Sequence, residues 1–117
     1  PVVKSDPGKL QIVLLNLINN AIKFTDAGEI RIRARHEPQA RKMIFAVSDS
    51  GIGIAADQLP FVFDKFWQVD AARTRTQSGI GMGLYIVKAF TELLGGSVSV
   101  TSTLGRGTEF TVEFPTG

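Results

Sequence analysis

The chain has 117 residues, 44% of them hydrophobic and 21% charged, which suffices for one core and is too little for two. A formal net charge of +2, with Lys and Arg spread along the chain, argues against nucleic acid as a partner, and the lack of cysteine excludes disulfides and thiolate metal sites. Apolar stretches are broken every few residues by Asn, Lys or Gly, so none approaches the roughly 20 residues that span a bilayer, and no signal segment opens the chain.

Val2 to Ser5 reads as a short strand, already under way at the first residue, which suggests a piece of a longer protein. Asp6-Pro7 is a helix start, with a carboxylate to cap free N–H groups and a proline where no N–H is needed. Apolar residues at 10, 13, 14, 17, 18, 21 and 22 then keep to one helical face up to about Phe24, where Thr25-Asp26-Ala27-Gly28 makes a turn. Ile30, Ile32 and Ala34 alternate with Arg31, Arg33 and Arg35, the pattern of a half-buried strand. A turn around Pro38-Gln39-Ala40 leads to a second, more continuously buried strand over Met43 to Ser48, so the two predict a hairpin.

Ala56 to Phe61 predicts a short helix, and Lys65 to Ser78 a long polar loop without a period. From Gly83, the residues Leu84, Val87, Ala89-Phe90 and Leu93-Leu94 predict an amphipathic helix closed by Gly95-Gly96. Ser97 to Thr103 and Thr108 to Phe114 alternate as two strands around Gly105-Arg106-Gly107. The expected architecture is α+β: a two-layer α/β sandwich, with a mixed sheet and about three helices on one face.

Four groups of residues point to chemistry. On the first helix Asn16, Asn20 and Lys23 share an arc of roughly 60° beside the apolar face. Asparagine is a poor helix former, and Asn19 adds a third in the same stretch. A solvated face would explain the asparagines, but Lys23 tips the balance towards a site: amide oxygens suit magnesium, and lysine supplies a point charge for phosphate. Asp49-Ser50-Gly51-Ile52-Gly53 follows a buried strand. Alone it reads first as a capped glycine turn, yet its carboxylate could accept a hydrogen bond from the adenine amine, an arrangement that rejects guanine. Gly79-Ile80-Gly81-Met82-Gly83-Leu84 precedes a helix and serves equally as a hinge or as an anion cradle. It is neither a P-loop nor the dinucleotide fingerprint. Gly105-Arg106-Gly107-Thr108 reads first as a hairpin turn, with the Thr108 hydroxyl within reach of a bound base.

Taken in order, these residues resemble the catalytic and ATP-binding domain of bacterial sensor histidine kinases, with wording closest to the hybrid type. Asn16-Leu17-Ile18-Asn19-Asn20-Ala21-Ile22-Lys23-Phe24-Thr25 is similar to the N box and Asp49-Ser50-Gly51-Ile52-Gly53 to the G1 box. Phe63-Asp64-Lys65-Phe66 is similar to the F box and Gly79 to Leu84 to the G2 box. The likeness extends from Asp6 to Pro115.

The resemblance implies the Bergerat ATP-binding fold and a set of roles. Asn20 would hold magnesium, with Asn16 assisting and Lys23 contacting phosphate, while Asp49 would bind the adenine amine with Thr108 nearby. Gly51 and Gly53 would shape the base pocket, and residues 64 to 82 would form a lid rooted by Phe63 and Phe66. Gly79, Gly81 and Gly83, running into Leu84, would let the lid close over the triphosphate. Gln68 stands where the lid often carries an arginine, leaving Arg73 or Arg75 to substitute or the contact unmade, and Ser78 stands where glycine is frequent. The family's domain also has a further strand before Val2.

Gyrase-type relatives carry a glutamate at the position of Asn16 as the base that activates water; an amide cannot take that proton, so the implied reaction is transfer to histidine rather than hydrolysis. His36, the only histidine, sits beside Arg35 and Glu37 on an exposed strand and is not the expected acceptor. The acceptor would lie on a separate dimerisation domain of the same parent, with a response regulator downstream. The domain itself is expected to be monomeric and cytoplasmic, with any membrane anchor outside this chain. The alternatives are a degenerate ATP-binding regulatory module without phosphotransfer, a gyrase-like ATPase and a serine kinase of the anti-sigma type.

Overall fold

In the computed structural model, residues 7–25, 28–65, 67 and 83–116 are described. The predicted strand at 2–5, the Asp6 cap, Phe66, Gln68 and most of the predicted lid, with Arg73, Arg75, Ser78, Gly79 and Gly81, lie outside them.

Helix α1 spans Pro7–Phe24 and buries Val13, Leu17, Ala21 and Phe24, successive turns of one stripe. Lys23 in its last turn complements the partial negative charge of the carboxyl end. One of the end carbonyls is satisfied from outside the helix: the Ile52 N–H donates to Phe24 O at 3.1 Å. Strands β1 (Ile30–Glu37) and β2 (Lys42–Asp49) form the predicted hairpin, with Glu37 opposite Lys42. The expected helix at 56–61 shrinks to a single 3-10 turn, Leu59–Phe61.

Helix α2 spans Gly83–Leu93. It closes as predicted on Gly95-Gly96, whose N–H groups donate to Glu92 O at 3.0 Å and Thr91 O at 2.9 Å, the paired bonds of a Schellman cap. Strands β3 (Ser97–Thr103) and β4 (Gly107–Pro115) complete a four-stranded sheet of order β1-β2-β4-β3.

All three described ladders are antiparallel, where the sequence suggests a mixed sheet. The strand–helix–strand unit β2–α2–β3 does leave β2 and β3 pointing the same way. However, β4 returns between them and pairs with both, so the common direction makes no parallel ladder.

The described helices cover one face, giving the two-layer sandwich. Helix α1 lies against β2 and α2, and α2 against β3 and β4. Between the layers sit Val47, Phe110, Val112 and Phe114 from the sheet, with Val13, Leu17, Leu84 and Val87 from the helices. The opposite face is wet. Its Ile44 and Ala46 are buried all the same, and Lys42 and Arg33 reach across that face to Glu113 and Glu109, laying apolar stems over the sheet.

The expected half-burial of β1 does not occur. Ile30 to Arg35 are all exposed, with Ile32 at 56%, because β1 is the outer strand of the described sheet and neither described helix extends over it.

Candidate functional site

Among the described residues, Asn16 on α1 lies beside Gly83 at the start of α2, and Asp49 at the end of β2 lies opposite Thr108 at the start of β4. Asn16 and Asn20 are half-buried on the flank of α1 beside its core stripe, with Lys23 one turn further on, also half-buried. Asn16 Nδ2 donates to Ile12 O at 2.8 Å, which fixes the amide with its oxygen turned away from that carbonyl. That oxygen lies against the head of α2: a Cβ on Gly83 would come within 3.1 Å of it. Gly83 therefore brings the first turn of α2, whose N–H groups have no partner within the helix, up to Asn16.

Asn20 Nδ2 is enclosed and has no partner among the described residues. An orphaned buried amide signals a missing ligand or water. Turning the amide over exchanges its ends and puts an oxygen in the same space. Among the described residues no cluster of three His, Cys, Asp or Glu could hold a metal. A cation here would need amide oxygens, water and the ligand's own oxygens, the mixed set that magnesium accepts, so the residues present fit it.

Asp49 ends β2, half-buried, directly opposite Thr108 in the ladder. Burial pushes its carboxyl above the ordinary 3.8, opposed by the N–H groups of Gly51, at 2.9 Å, and Thr108. A carboxylate held charged against burial, with acceptor capacity to spare, is suited to a ligand donor.

Gly51 and Gly53 have a reason in packing as well as in any ligand. A Cβ on Gly51 would sit 2.0 Å from Phe24 O, and one on Gly53, at φ +72°, would sit 2.2 Å from Thr103 O. The loop is thus pressed between the end of α1 and the β3–β4 turn, a fit only glycine permits.

Phe63 packs edge-on to Phe110, with ring centroids 6.0 Å apart, on the core. Leu84 is a core residue, 6% exposed. A shallow hollow of about 320 Å³ reaches Asp49 and Thr108, but outward-facing Ser48, Thr101 and Glu109 line it and Asn16 and Asn20 do not.

Two residues went unnoticed in the sequence. Trp67 packs on the core beside Phe63 and donates from Nε1 to Gln58 Oε1 at 3.1 Å; a lone tryptophan entering a polar stretch was the signal. Ser102 bonds the Ile54 N–H at 2.7 Å and lies 2.8 Å from Thr108 Oγ1; its signal was a hydroxyl at an inward position of an alternating strand.

Residues 5–117 match the family described as histidine kinase-, DNA gyrase B- and HSP90-like ATPases. The chain belongs to this family. It is 42% identical over 110 residues to the sensor protein SrrB of Staphylococcus aureus, covering 94% of this chain and 19% of that protein. It therefore spans about a fifth of the length of the curated relatives it matches. Full-length ShkA, solved in complex with AMPPNP, superposes with a TM-score of 0.82 at 36% identity, over 100% of this chain and 24% of that one. The mycobacterial sensor histidine kinase MprB superposes with a TM-score of 0.83 at 28% identity, over 97% of this chain and 76% of that one. The fold is that of histidine kinase catalytic domains. No described helix is long and apolar enough to cross a membrane.

Proposed function

We propose that the chain is a single domain, part of a longer protein, that binds Mg-ATP and donates the γ-phosphoryl group to a histidine. That histidine lies on a separate dimerisation domain of the same parent, and the phosphoryl group passes on to a response regulator. The observation that carries this reading is Asn16. It stands on α1 with its oxygen against the head of α2, and a carboxamide there cannot act as the base that hydrolysis of ATP by water requires. A histidine imidazole needs no such base, since its own nitrogen lone pair attacks the γ-phosphorus as ADP leaves. The sensor-kinase relatives favour the same choice.

In this reading Asp49 accepts from the adenine amine, with Thr108 beside it. Asn20 holds magnesium with Asn16 assisting, and Lys23 contacts phosphate. Magnesium, when bound, supplies charge neutralisation at the phosphate oxygens. The N–H groups at the head of α2 face the triphosphate, which is the favourable end of a helix for an anion. Gly51 and Gly53 shape the base end, and Phe63 and Phe66 hold the root of the lid. Gly79 and Gly81 allow the lid to close, Leu84 backs it from the core, and Arg73 or Arg75 reaches the terminal phosphate. Catalysis is then positioning and electrostatics. We assign the domain to the cytoplasm, as a monomer paired only through the dimerisation domain.

The test is labelled Mg-ATP with and without the parent's dimerisation domain. Acid-labile label on that domain, with little phosphate released in its absence, is the expected result. Steady phosphate release by the chain alone overturns the reading in favour of a hydrolase. Saturable binding with no transfer leaves a regulatory ATP-binding module, and acid-stable label means a serine kinase.

A further inference from the structure

The inward row of β3 runs Val98, Val100, Ser102, opposite Val112, Phe110 and Thr108 of β4. A hydroxyl thus stands where the pattern leads to a third apolar residue, and it is the centre of a network. Ser102 Oγ accepts the Ile54 N–H at 2.7 Å and lies 2.8 Å from both Gly107 O and Thr108 Oγ1.

Proton counting fixes the directions. Serine has one hydroxyl proton, and Gly107 O can only accept, so the proton of Ser102 goes there. The contact with Thr108 is then a bond only if Thr108 donates. Ser102 Oγ is left saturated, with two bonds accepted and one donated. The single proton of Thr108 is committed, so its oxygen offers lone pairs alone. Next to it the Asp49 carboxylate, already taking the N–H groups of Gly51 and Thr108, also offers only acceptors while ionised.

We propose that Ser102 is a positioning residue that turns the Thr108 hydroxyl into an acceptor. The base end of the site then becomes an all-acceptor corner that selects an exocyclic amine bearing two N–H groups. This rests on the nucleotide reading above and deepens it: one amine proton goes to Asp49, the other to Thr108. A base with a carbonyl oxygen at that position meets only acceptors and is rejected.

The test compares the magnesium complexes of ATP and of purine riboside triphosphate, in which hydrogen replaces the amine, by calorimetry on the wild-type chain, Ser102→Ala and Ser102→Thr. The wild type is expected to prefer ATP. Ser102→Ala should weaken ATP by about threefold to tenfold, the worth of one neutral hydrogen bond, and leave the analogue unchanged, so the preference falls. Ser102→Thr, which keeps the hydroxyl, should restore it. If Ser102 only braces the loop, both nucleotides weaken together and the ratio holds, which overturns the proposal. Failure of the wild type to bind either nucleotide overturns the nucleotide reading, and this proposal with it. Should Ser102→Ala not fold, Ser102→Cys, of nearly the same shape but a poor hydrogen-bonding group, gives the same readout.

Discussion

Asp49→Asn separates the stability of this domain from its affinity. Burial raises the Asp49 carboxyl above 3.8, and the N–H groups of Gly51 and Thr108 offset this only in part. A carboxyl that holds its proton more tightly when folded contributes stability that is fully present below the unfolded value. That contribution is lost as pH rises through the raised folded value. Near neutral pH the ionised group is therefore a net burden on the fold, and an amide of the same shape removes it. The melting temperature of Asp49→Asn should equal or exceed that of the wild type near neutrality, with the gap closing as acid protonates the wild-type carboxyl.

Affinity should move the other way. A hydrogen bond to a charged group contributes about 1.5–3 kcal/mol, so losing it weakens Mg-ATP by roughly tenfold to a hundredfold. The amide also turns half of the acceptor end into a donor facing the donors of the amine. Calorimetry near neutral pH reads the affinity and a melt on the same sample reads the stability. In the wild type, affinity should also fall on acidification, starting above the ordinary carboxylate range, more steeply than in the variant. A variant that melts lower than the wild type and binds ATP equally well would refute the reasoning on both counts.

Asn20→Ala should reduce the dependence of ATP binding on magnesium without lowering the melting temperature, because the amide nitrogen it removes is buried without a partner among the described residues; paired titrations with and without the metal decide, and an unchanged magnesium effect excludes Asn20 as the holder. Thr91→Val should stabilise by about 1 kcal/mol, since Thr91 Oγ1 in α2 is likewise buried with no partner among the described residues and valine keeps the shape. A lower melting temperature would mean that the hydroxyl has a partner in solution. Gly53→Ala should cost roughly 2–5 kcal/mol in a denaturant titration, about 1–2 for the left-handed backbone and about 1–3 for the clash with Thr103 O; a loss under 1 kcal/mol would show that the loop is not pressed as described.

Local chemistry made much of this fold legible. The stripe of α1, the hairpin ends and the Gly95-Gly96 cap each follow from residues within a few positions of one another, and the bounds of α1 and α2 agree with the expectation almost to the residue. Burial of β1 was not legible in the same way. Alternation of Ile with Arg states which face a residue takes, but whether that face is covered depends on distant elements. Only the strand order, with both helices over the other three strands, leaves Ile32 in solvent. The parallel ladder failed for the same reason, since β4 comes last in the chain and takes the place between β2 and β3. In the candidate site, Asn16 and Asp49 stood out by residue type. The contact of Asn16 with Gly83 joins α1 to the head of α2 and has no local signature.

The loop after β2 shows why stability and ligand chemistry are difficult to part in this molecule. Its N–H groups are committed to separate elements: Gly51 to the Asp49 carboxylate, Ile52 to Phe24 O at the end of α1, Ile54 to Ser102 on β3. In return Ile52 O receives the Gly105 N–H from the β3–β4 turn at 2.7 Å. A segment held by bonds to α1, β2, β3 and the far turn cannot shift at one point without straining the others. The acceptor pair Asp49 and Thr108 sits within that mesh, so its geometry is set before any base arrives. In the proposed reading, the ordering cost at the base end is met by the fold itself, and selectivity for an amine rests on the Asp49 carboxylate together with the direction of the Ser102 and Thr108 hydroxyl protons.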